Sequence, residues 1–149
     1  MQNPVLFKSV GSIPTLSTIY SQELLIFLMM SLKKDILFKV SKKYGLPVFV
    51  YDKDKIISQY SKLKEAFKSV DELHINYAAK ALTNINILKV MKDIGCGIDA
   101  VSIQEVELAL FSGFKSDNIF FTPSGVEIDE IRKAFKYGVQ INIDNLQLK

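Results

Sequence analysis

A lysine stands where an apolar segment gives way to the start of a helix, in the run His74-Ile-Asn-Tyr-Ala-Ala-Lys80-Ala-Leu-Thr-Asn84. An ammonium ion is costly to bury, so a folded protein either pairs such a lysine with a carboxylate or keeps its amine neutral. A neutral amine is a nucleophile that forms a Schiff base with a carbonyl compound. Lys80 is therefore the first candidate for covalent chemistry in this chain.

Alternating hydrophobic patterns predict the elements that must position Lys80. Periodicity and turn residues predict strands over 48–51, 73–79, 98–101, 119–121 and 140–143, and helices over 31–44, 53–67, 85–94, 103–111 and 128–135. Ser31 and Asp52 are the predicted caps of the first two helices, and Gly45 is predicted to end the first. Strands and helices that alternate through short connections are typical of a parallel sheet, so the pattern predicts an α/β fold.

Ordered motifs around Lys80 carry a resemblance to a known family. They are Tyr77-Ala-Ala-Lys80-Ala-Leu-Thr-Asn84-Ile-Asn-Ile-Leu88, Gly97-Ile-Asp99-Ala-Val-Ser102-Ile-Gln-Glu105, Ala109-Leu-Phe-Ser-Gly113-Phe and Ile119-Phe-Phe-Thr122-Pro123. Together they resemble the opening blocks of diaminopimelate decarboxylase, one of the pyridoxal-phosphate decarboxylases that include the ornithine and arginine enzymes. The resemblance runs from about Tyr44 to the last residue.

The resemblance implies the N-terminal part of a (β/α)₈ barrel of the alanine-racemase-like type, which is fold type III among pyridoxal-phosphate enzymes. Such a barrel takes roughly 250 residues, whereas this chain has 149. We therefore expect residues 31–149 to form one continuous unit with at most four barrel strands, and the C-terminal half of the barrel and the β-rich second domain to be absent. Residues 1–30 are expected to be an N-terminal extension without a catalytic role.

The resemblance also implies the roles of two residues. Lys80 is expected to bind pyridoxal 5'-phosphate covalently and to be catalytic in the decarboxylation of meso-diaminopimelate to L-lysine, the last step of lysine synthesis. Asp99 is expected to be catalytic beside it, orienting the amine or moving a proton; the alternative is that Asp99 only caps the approach to a helix. Ser102 and Glu105 have the spacing of a capping box.

Further polar residues follow the later strands, on the side where the chemistry of a parallel barrel gathers. Thr122-Pro-Ser124-Gly125 follows the third barrel strand, and Asn142 and Asp144 flank the end of the fourth. His74, the one histidine, stands at the opposite end of the first strand and is expected to be structural or exposed.

The family's stacking histidine, its glycine-rich phosphate loop and its substrate-holding arginine and glutamate are expected beyond Lys149. We therefore expect weak cofactor binding and no measurable turnover for residues 1–149 alone. The full-length enzyme is expected to be a homodimer that acts on a small amino-acid substrate.

Composition and charge limit the other function classes. The net charge is +3, of which residues 1–50 carry +4, from six lysines against Glu23 and Asp35. These lysines alternate with apolar residues at helical spacing, which indicates a solvated helix face rather than a nucleic-acid site. Cys96 is the one cysteine, which fits a reducing cytoplasm and predicts neither a disulfide nor a metal cluster. The apolar run 24–30 is too short to span a membrane.

Three alternatives to diaminopimelate decarboxylation remain. The first is a decarboxylase for ornithine, arginine or carboxynorspermidine. The second is a noncatalytic fragment that binds a full-length homologue through its open sheet edges. The third, a basic nucleic-acid module, is disfavoured because the aromatic residues lie mostly at periodic core positions.

Overall fold

A computed structural model describes residues 5–7 and 34–143, which fall into two compact units, Met1–Gln59 and Tyr60–Lys149. In the first unit, strand β1 (Val5–Phe7) pairs antiparallel with β2 (Phe49–Tyr51). Strand β1 lies inside the segment expected to be an extension, and sequence patterns did not predict it. Helix α1 (Lys34–Tyr44) ends as predicted at Gly45, which has a φ of 77°. The predicted cap Ser31 lies outside the described residues.

The second unit alternates strands and helices as the sequence predicts. Helix α2 (Lys53–Ala66) contains the boundary between the two units. The second unit then contains β3 (Asn76–Ala78), a 3₁₀ turn (Ala79–Ala81), α3 (Ile85–Asp93), β4 (Gly97–Ala100), α4 (Ile103–Phe111), a second 3₁₀ turn (Ser116–Asn118), β5 (Ile119–Phe121), α5 (Ile128–Tyr137) and β6 (Gln140–Ile141). The four strands form one parallel sheet in the order β3-β4-β5-β6. The predicted parallel α/β arrangement is therefore confirmed, with sequential strands as in the wall of a barrel.

The two faces of this sheet differ in chemistry. Successive residues of a strand point to opposite faces, and in β4 and β5 the exposed fraction of the side chains alternates with that period. The helix-covered face buries Ile98, Ala100, Ile119 and Phe121 completely, against Val106 of α4 and other core residues. The opposite face carries small and polar side chains together with one aromatic ring: Asn76, Ala78, Gly97, Asp99, Phe120 and Gln140.

Side chains fix the ends of the helices close to where the sequence places them. Asp52 accepts the backbone N–H of Lys55 at 3.1 Å and caps α2 as predicted. Ser102 likewise accepts the N–H of Glu105 at 3.3 Å at the start of α4. The other half of the predicted capping box is shifted by one residue, because the Glu105 carboxylate accepts the N–H of Val101 at 2.8 Å. The helix start is still closed by two reciprocal hydrogen bonds.

Ser112, which follows α4, is a buried polar side chain that lacks a partner. It is 3% exposed, and its hydroxyl makes no hydrogen bond within the described residues. An unmade hydrogen bond in the interior costs free energy, so Ser112→Ala is expected to raise the free energy of unfolding by about 1 kcal/mol. Ser116→Ala is the matched control, because the Ser116 hydroxyl donates to the Tyr137 carbonyl at 2.8 Å. Urea unfolding of both variants checks this, and an equal loss of stability in both would contradict it.

A polar cluster joins α4 to α5. The Glu107 carboxylate accepts a hydrogen bond from the Tyr137 hydroxyl at 2.8 Å and pairs with the Lys133 ammonium at 2.5 Å. The hydrogen bond from Lys133 lowers the pKa of Glu107, and the hydrogen bonds to Glu107 raise the pKa of Tyr137 and of Lys133. The folded chain therefore favours the ionised carboxylate and the protonated partners.

These shifts predict a stability contribution that is lost at both ends of the pH range. The contribution of Glu107, with its depressed pKa, disappears as the pH falls below its ordinary value of 4.5. The contribution of Tyr137, with its raised pKa, disappears as the pH rises above its ordinary value of 10.0. Glu107→Gln is expected to lower the thermal midpoint by a few degrees between about pH 5 and 9 and by less outside that range.

Thermal unfolding of wild type and variant over this range measures the effect. Glu65→Gln is the control, because the Glu65 pair with Lys68 is largely exposed. A difference for Glu107→Gln that stays constant at every pH would contradict the prediction.

Candidate active site

The C-terminal ends of the four parallel strands meet at one edge of the sheet, and each presents a residue singled out from the sequence. The turn after β3 carries Lys80, and β4 contains Asp99 one residue before its end. Thr122 follows β5 directly, and Asn142 follows β6 directly. In barrels built from such sheets, catalytic groups gather at this edge.

Lys80 lies in a short turn that is anchored on both sides. The turn hydrogen bond runs from the Leu82 N–H to the Ala79 carbonyl at 3.1 Å, and the Tyr77 hydroxyl donates to the Leu82 carbonyl at 3.2 Å. Ala79 is 1% exposed and fixes the turn to the core. Asn84 then starts α3 by accepting the N–H of Asn86 at 2.9 Å. The backbone around Lys80 is therefore held in place on either side.

The Lys80 side chain itself is exposed, and it makes no ion pair within the described residues. The expectation that Lys80 is buried is therefore wrong for this structure. The physical reason is that the apolar residues before it, Tyr77 and Ala79, pack toward the helix-covered face, whereas Lys80 lies in the turn beyond the paired strand. The amine is nevertheless accessible at the strand edge, which is the requirement for reaction with a carbonyl compound.

Asp99 belongs to a chain of hydrogen bonds that crosses three strands. Its carboxylate oxygen Oδ1 accepts from the Thr122 hydroxyl at 2.9 Å, and Thr122 Oγ1 accepts from the Asn142 amide at 2.9 Å. The cap of α4 is Ser102, so Asp99 does not serve as the helix cap that was its alternative role. The register places Asp99 beside Ala78, two residues before Lys80.

The sequence explains why Thr122 is held at this place. A residue before proline is restricted to extended backbone, and Pro123 follows Thr122. The Thr122 N–H donates to the Ala100 carbonyl at 2.8 Å, and the Asn142 N–H donates to the Phe121 carbonyl at 2.9 Å. Both polar side chains therefore project from backbone that continues the sheet ladders. Both residues were predicted at this edge, but the hydrogen bonds that link them to Asp99 were not.

The remaining sequence candidates lie away from this edge or outside the described residues. His74 is exposed and precedes β3 at the opposite end of the sheet, as predicted. Burial raises the pKa of the Cys96 thiol to about 11, which makes it unreactive. Asp144 lies outside the described residues.

Two kinds of feature, a metal-ligand cluster and a membrane-spanning helix, are absent from the part of the chain that the structure describes. Residues 5–7 and 34–143 contain no group of three metal-ligating side chains. Within the same ranges, no helix combines the length and the apolar character that crossing a bilayer requires.

Comparison with known proteins shows which family this chain matches. The family described as "Pyridoxal-dependent decarboxylase, pyridoxal binding domain" matches residues 53–148. The diaminopimelate decarboxylase of Methanothermobacter thermautotrophicus is 37% identical over 108 residues, which are 72% of this chain and 25% of that protein. The Helicobacter pylori J99 enzyme of the same name is 39% identical over 108 residues, 71% of this chain and 26% of its own length.

Solved structures of similar proteins share the fold. The diaminopimelate decarboxylase of M. jannaschii in co-complex with L-lysine superimposes with a TM-score of 0.68 and 30% identity, covering 73% of this chain and 26% of that one. The lysine/ornithine decarboxylase of Vibrio vulnificus complexed with putrescine gives a TM-score of 0.69 and 27% identity, covering 76% and 31%. This chain thus spans about a quarter of the length of the relatives it matches. The predicted resemblance and the predicted partial barrel are confirmed.

Proposed function

Because this chain belongs to the pyridoxal-dependent decarboxylase family, we propose that it supplies the lysine-bearing part of an enzyme that decarboxylates meso-diaminopimelate to L-lysine. The single observation that carries the proposal is an accessible primary amine, Lys80, on an anchored turn at the C-terminal edge of the parallel sheet. The names of the similar proteins support the substrate, since several are diaminopimelate decarboxylases.

The residues present fit pyridoxal phosphate, judged by the donor set at the sheet edge. Lys80 offers a primary amine, and Asp99 offers a carboxylate whose position is fixed by Thr122. When bound, the cofactor supplies a pyridine ring that accepts the electron pair released with carbon dioxide. Lys80 would hold the cofactor aldehyde covalently through Nζ, and Asp99 would orient that amine or move its proton. The polar face of the sheet carries small and polar residues with one aromatic ring, unlike the branched apolar packing usual inside a barrel.

The homodimer expected from the family and the cytoplasmic location expected from the single cysteine belong to this proposal. One buried cysteine, Cys96, is compatible with a reducing compartment. Analytical ultracentrifugation of the full gene product tests the dimer, and sedimentation as a monomer at micromolar concentration would contradict it.

Peptide mapping of the full gene product tests the central assignment. The protein is incubated with pyridoxal phosphate and reduced with borohydride, and the labelled peptide is identified by mass spectrometry. We expect the pyridoxyl group on Lys80, in the segment that begins at Tyr77. A label that lies on another lysine, or on none, overturns the proposal.

A second substrate class is supported equally well by the comparison of folds. The lysine/ornithine decarboxylase of V. vulnificus matches the fold as well as the diaminopimelate enzyme of M. jannaschii does, with TM-scores of 0.69 and 0.68. The fold therefore does not choose between these substrates. Carbon dioxide release from meso-diaminopimelate, ornithine and lysine, measured with the full gene product, separates the two functions.

A further inference from the structure

The hydrogen-bond chain from Asn142 through Thr122 to Asp99 has a directed geometry that the family assignment does not explain. We propose that Thr122 and Asn142 are positioning residues, which fix the Asp99 carboxylate through Oδ1 and leave Oδ2 available to the reacting amine. This inference rests on the proposed function, because it assigns a purpose to the orientation of Asp99 at the strand edge that carries Lys80.

The direction of the chain follows from counting hydrogens. A threonine hydroxyl has one hydrogen, and Thr122 donates it to Asp99 Oδ1 at 2.9 Å. The remaining lone pairs of Thr122 Oγ1 must then face a donor, which is the Asn142 amide nitrogen at 2.9 Å. The amide of Asn142 is thereby oriented with its nitrogen inward. Thr122 therefore accepts a hydrogen bond from Asn142 and donates one to Asp99. If either hydrogen bond ran in the opposite direction, two acceptor atoms would face each other with no hydrogen between them.

The backbone holds both positioning residues rigidly. Thr122 is β-branched, which restricts its first side-chain torsion, and Pro123 restricts its backbone. Its N–H is bound to the carbonyl of Ala100, in the strand that carries Asp99. The distance between Thr122 Oγ1 and Asp99 Oδ1 is therefore set by the ladder between β4 and β5. Asn142 is fixed in the same way through the ladder between β5 and β6.

This arrangement leaves the second carboxylate oxygen for chemistry. Asp99 Oδ2 makes no hydrogen bond within the described residues, and the side chain is half-buried on the polar face of the sheet. A catalytic group whose orientation is fixed before the substrate arrives needs no reorganisation during the reaction. Oδ1 is thus the anchor of Asp99, and Oδ2 is the oxygen that remains available to the amine.

A purely structural role would give a different pattern of effects. A hydrogen bond that only ties β4 to β5 would change stability when it is lost, but its loss would act independently of Asp99. A positioning residue acts through the group it holds. Its effect must therefore vanish when that group has already been replaced.

The experiment is a double-mutant cycle on the full gene product, with the rate of borohydride-trapped pyridoxyl labelling at Lys80 as the readout. Thr122→Val removes the hydroxyl but keeps the shape and is expected to slow labelling by about 10-fold, the effect of losing a hydrogen bond to a charged group. Thr122→Ser keeps the hydroxyl and is expected to stay within about 3-fold of wild type. In an Asp99→Asn background, Thr122→Val is expected to cause no further slowing of the labelling at Lys80.

A second readout needs no cofactor. The carboxyl carbon resonance of Asp99 in the 149-residue chain, identified by its loss in Asp99→Asn, is expected to move in Thr122→Val and to stay in Thr122→Ser. If Thr122→Val fails to fold, Asn142→Ala replaces it, because Asn142 is exposed and lies beyond the end of β6. The expected slowing is then about 3-fold, since Asn142 acts through Thr122.

The outcomes separate the inference from the proposed function. Absence of label on Lys80 in the wild-type protein overturns the proposed function and this inference with it. Labelling that proceeds normally in Thr122→Val overturns the inference alone. An undiminished effect of Thr122→Val in the Asp99→Asn background also overturns it, since Thr122 would then act by another route.

Discussion

Replacing Lys80 by arginine is expected to abolish covalent capture of pyridoxal phosphate and to lower decarboxylation by at least ~100-fold. Arginine keeps the positive charge and most of the length of lysine, but its guanidinium does not form an imine with an aldehyde. The exposed position of Lys80 on its turn leaves room for the substitution, so the fold is expected to remain. Labelling stoichiometry and carbon dioxide release of the full gene product measure the effect.

Lys115→Arg is the matched control for this variant. Lys115 is also exposed, and it makes no ion pair within the described residues, but it lies before β5 at the opposite end of the sheet. Its replacement is expected to leave the labelling stoichiometry and the release of carbon dioxide unchanged. If Lys115→Arg lowered labelling as much as Lys80→Arg, capture would depend on general lysine exposure rather than on the site.

The sequence predicted the strand and helix order because hydrophobic periodicity is a local property. Helix Ile103–Phe111 and strand Ile119–Phe121 have the predicted bounds. The first barrel strand was predicted over 73–79, but only Asn76–Ala78 pairs with a neighbour. Apolar character extends beyond the paired residues there, and the length of pairing depends on the partner strand rather than on the segment itself.

The location of the site could be predicted from the sequence, but the hydrogen bonds between its residues could not. Strand ends could be placed from the alternation, which brought Lys80, Asp99, Thr122 and Asn142 to one edge. The bond from Thr122 to Asp99 joins residues 23 apart, and the bond from Asn142 joins residues 20 apart. Such bonds depend on the register between strands, which no local pattern specifies. The Thr-Pro pair directly after a strand was the available signal, because it fixes an extended, polar strand end.

The exposure of Lys80 was mispredicted for a related reason. The sequence shows an apolar segment before the lysine, which suggests that the lysine is buried. The apolar side chains of this segment, however, pack on the helix-covered face of the sheet. Tyr77 shares the face of Ile98, and Ala79 is packed in the core, while Asp99 lies on the polar face. One face of the sheet therefore stabilises the fold and the other carries the chemistry, and changes on the two faces should have separable effects.

Phe121→Ala tests that separation on the structural face and is expected to lower the free energy of unfolding by about 3–5 kcal/mol. Phe121 is completely buried and is among the largest fully buried side chains of the core, together with Leu88 and Ile98. Its truncation removes apolar contacts and leaves a cavity that the surrounding strands and helices fill only in part. Urea unfolding of the 149-residue chain, followed by circular dichroism, measures the loss.

Phe111→Ala is the control, because Phe111 is 74% exposed at the end of α4 and its removal should change stability by no more than about 0.5 kcal/mol. If Phe121→Ala leaves too little folded protein to measure, Phe121→Leu keeps most of the volume and should cost about 1–1.5 kcal/mol. Equal stability of the Phe121 and Phe111 variants would mean that the helix-covered face is not the core. The polar face would then lose the rigid support on which the orientation of Asp99 depends.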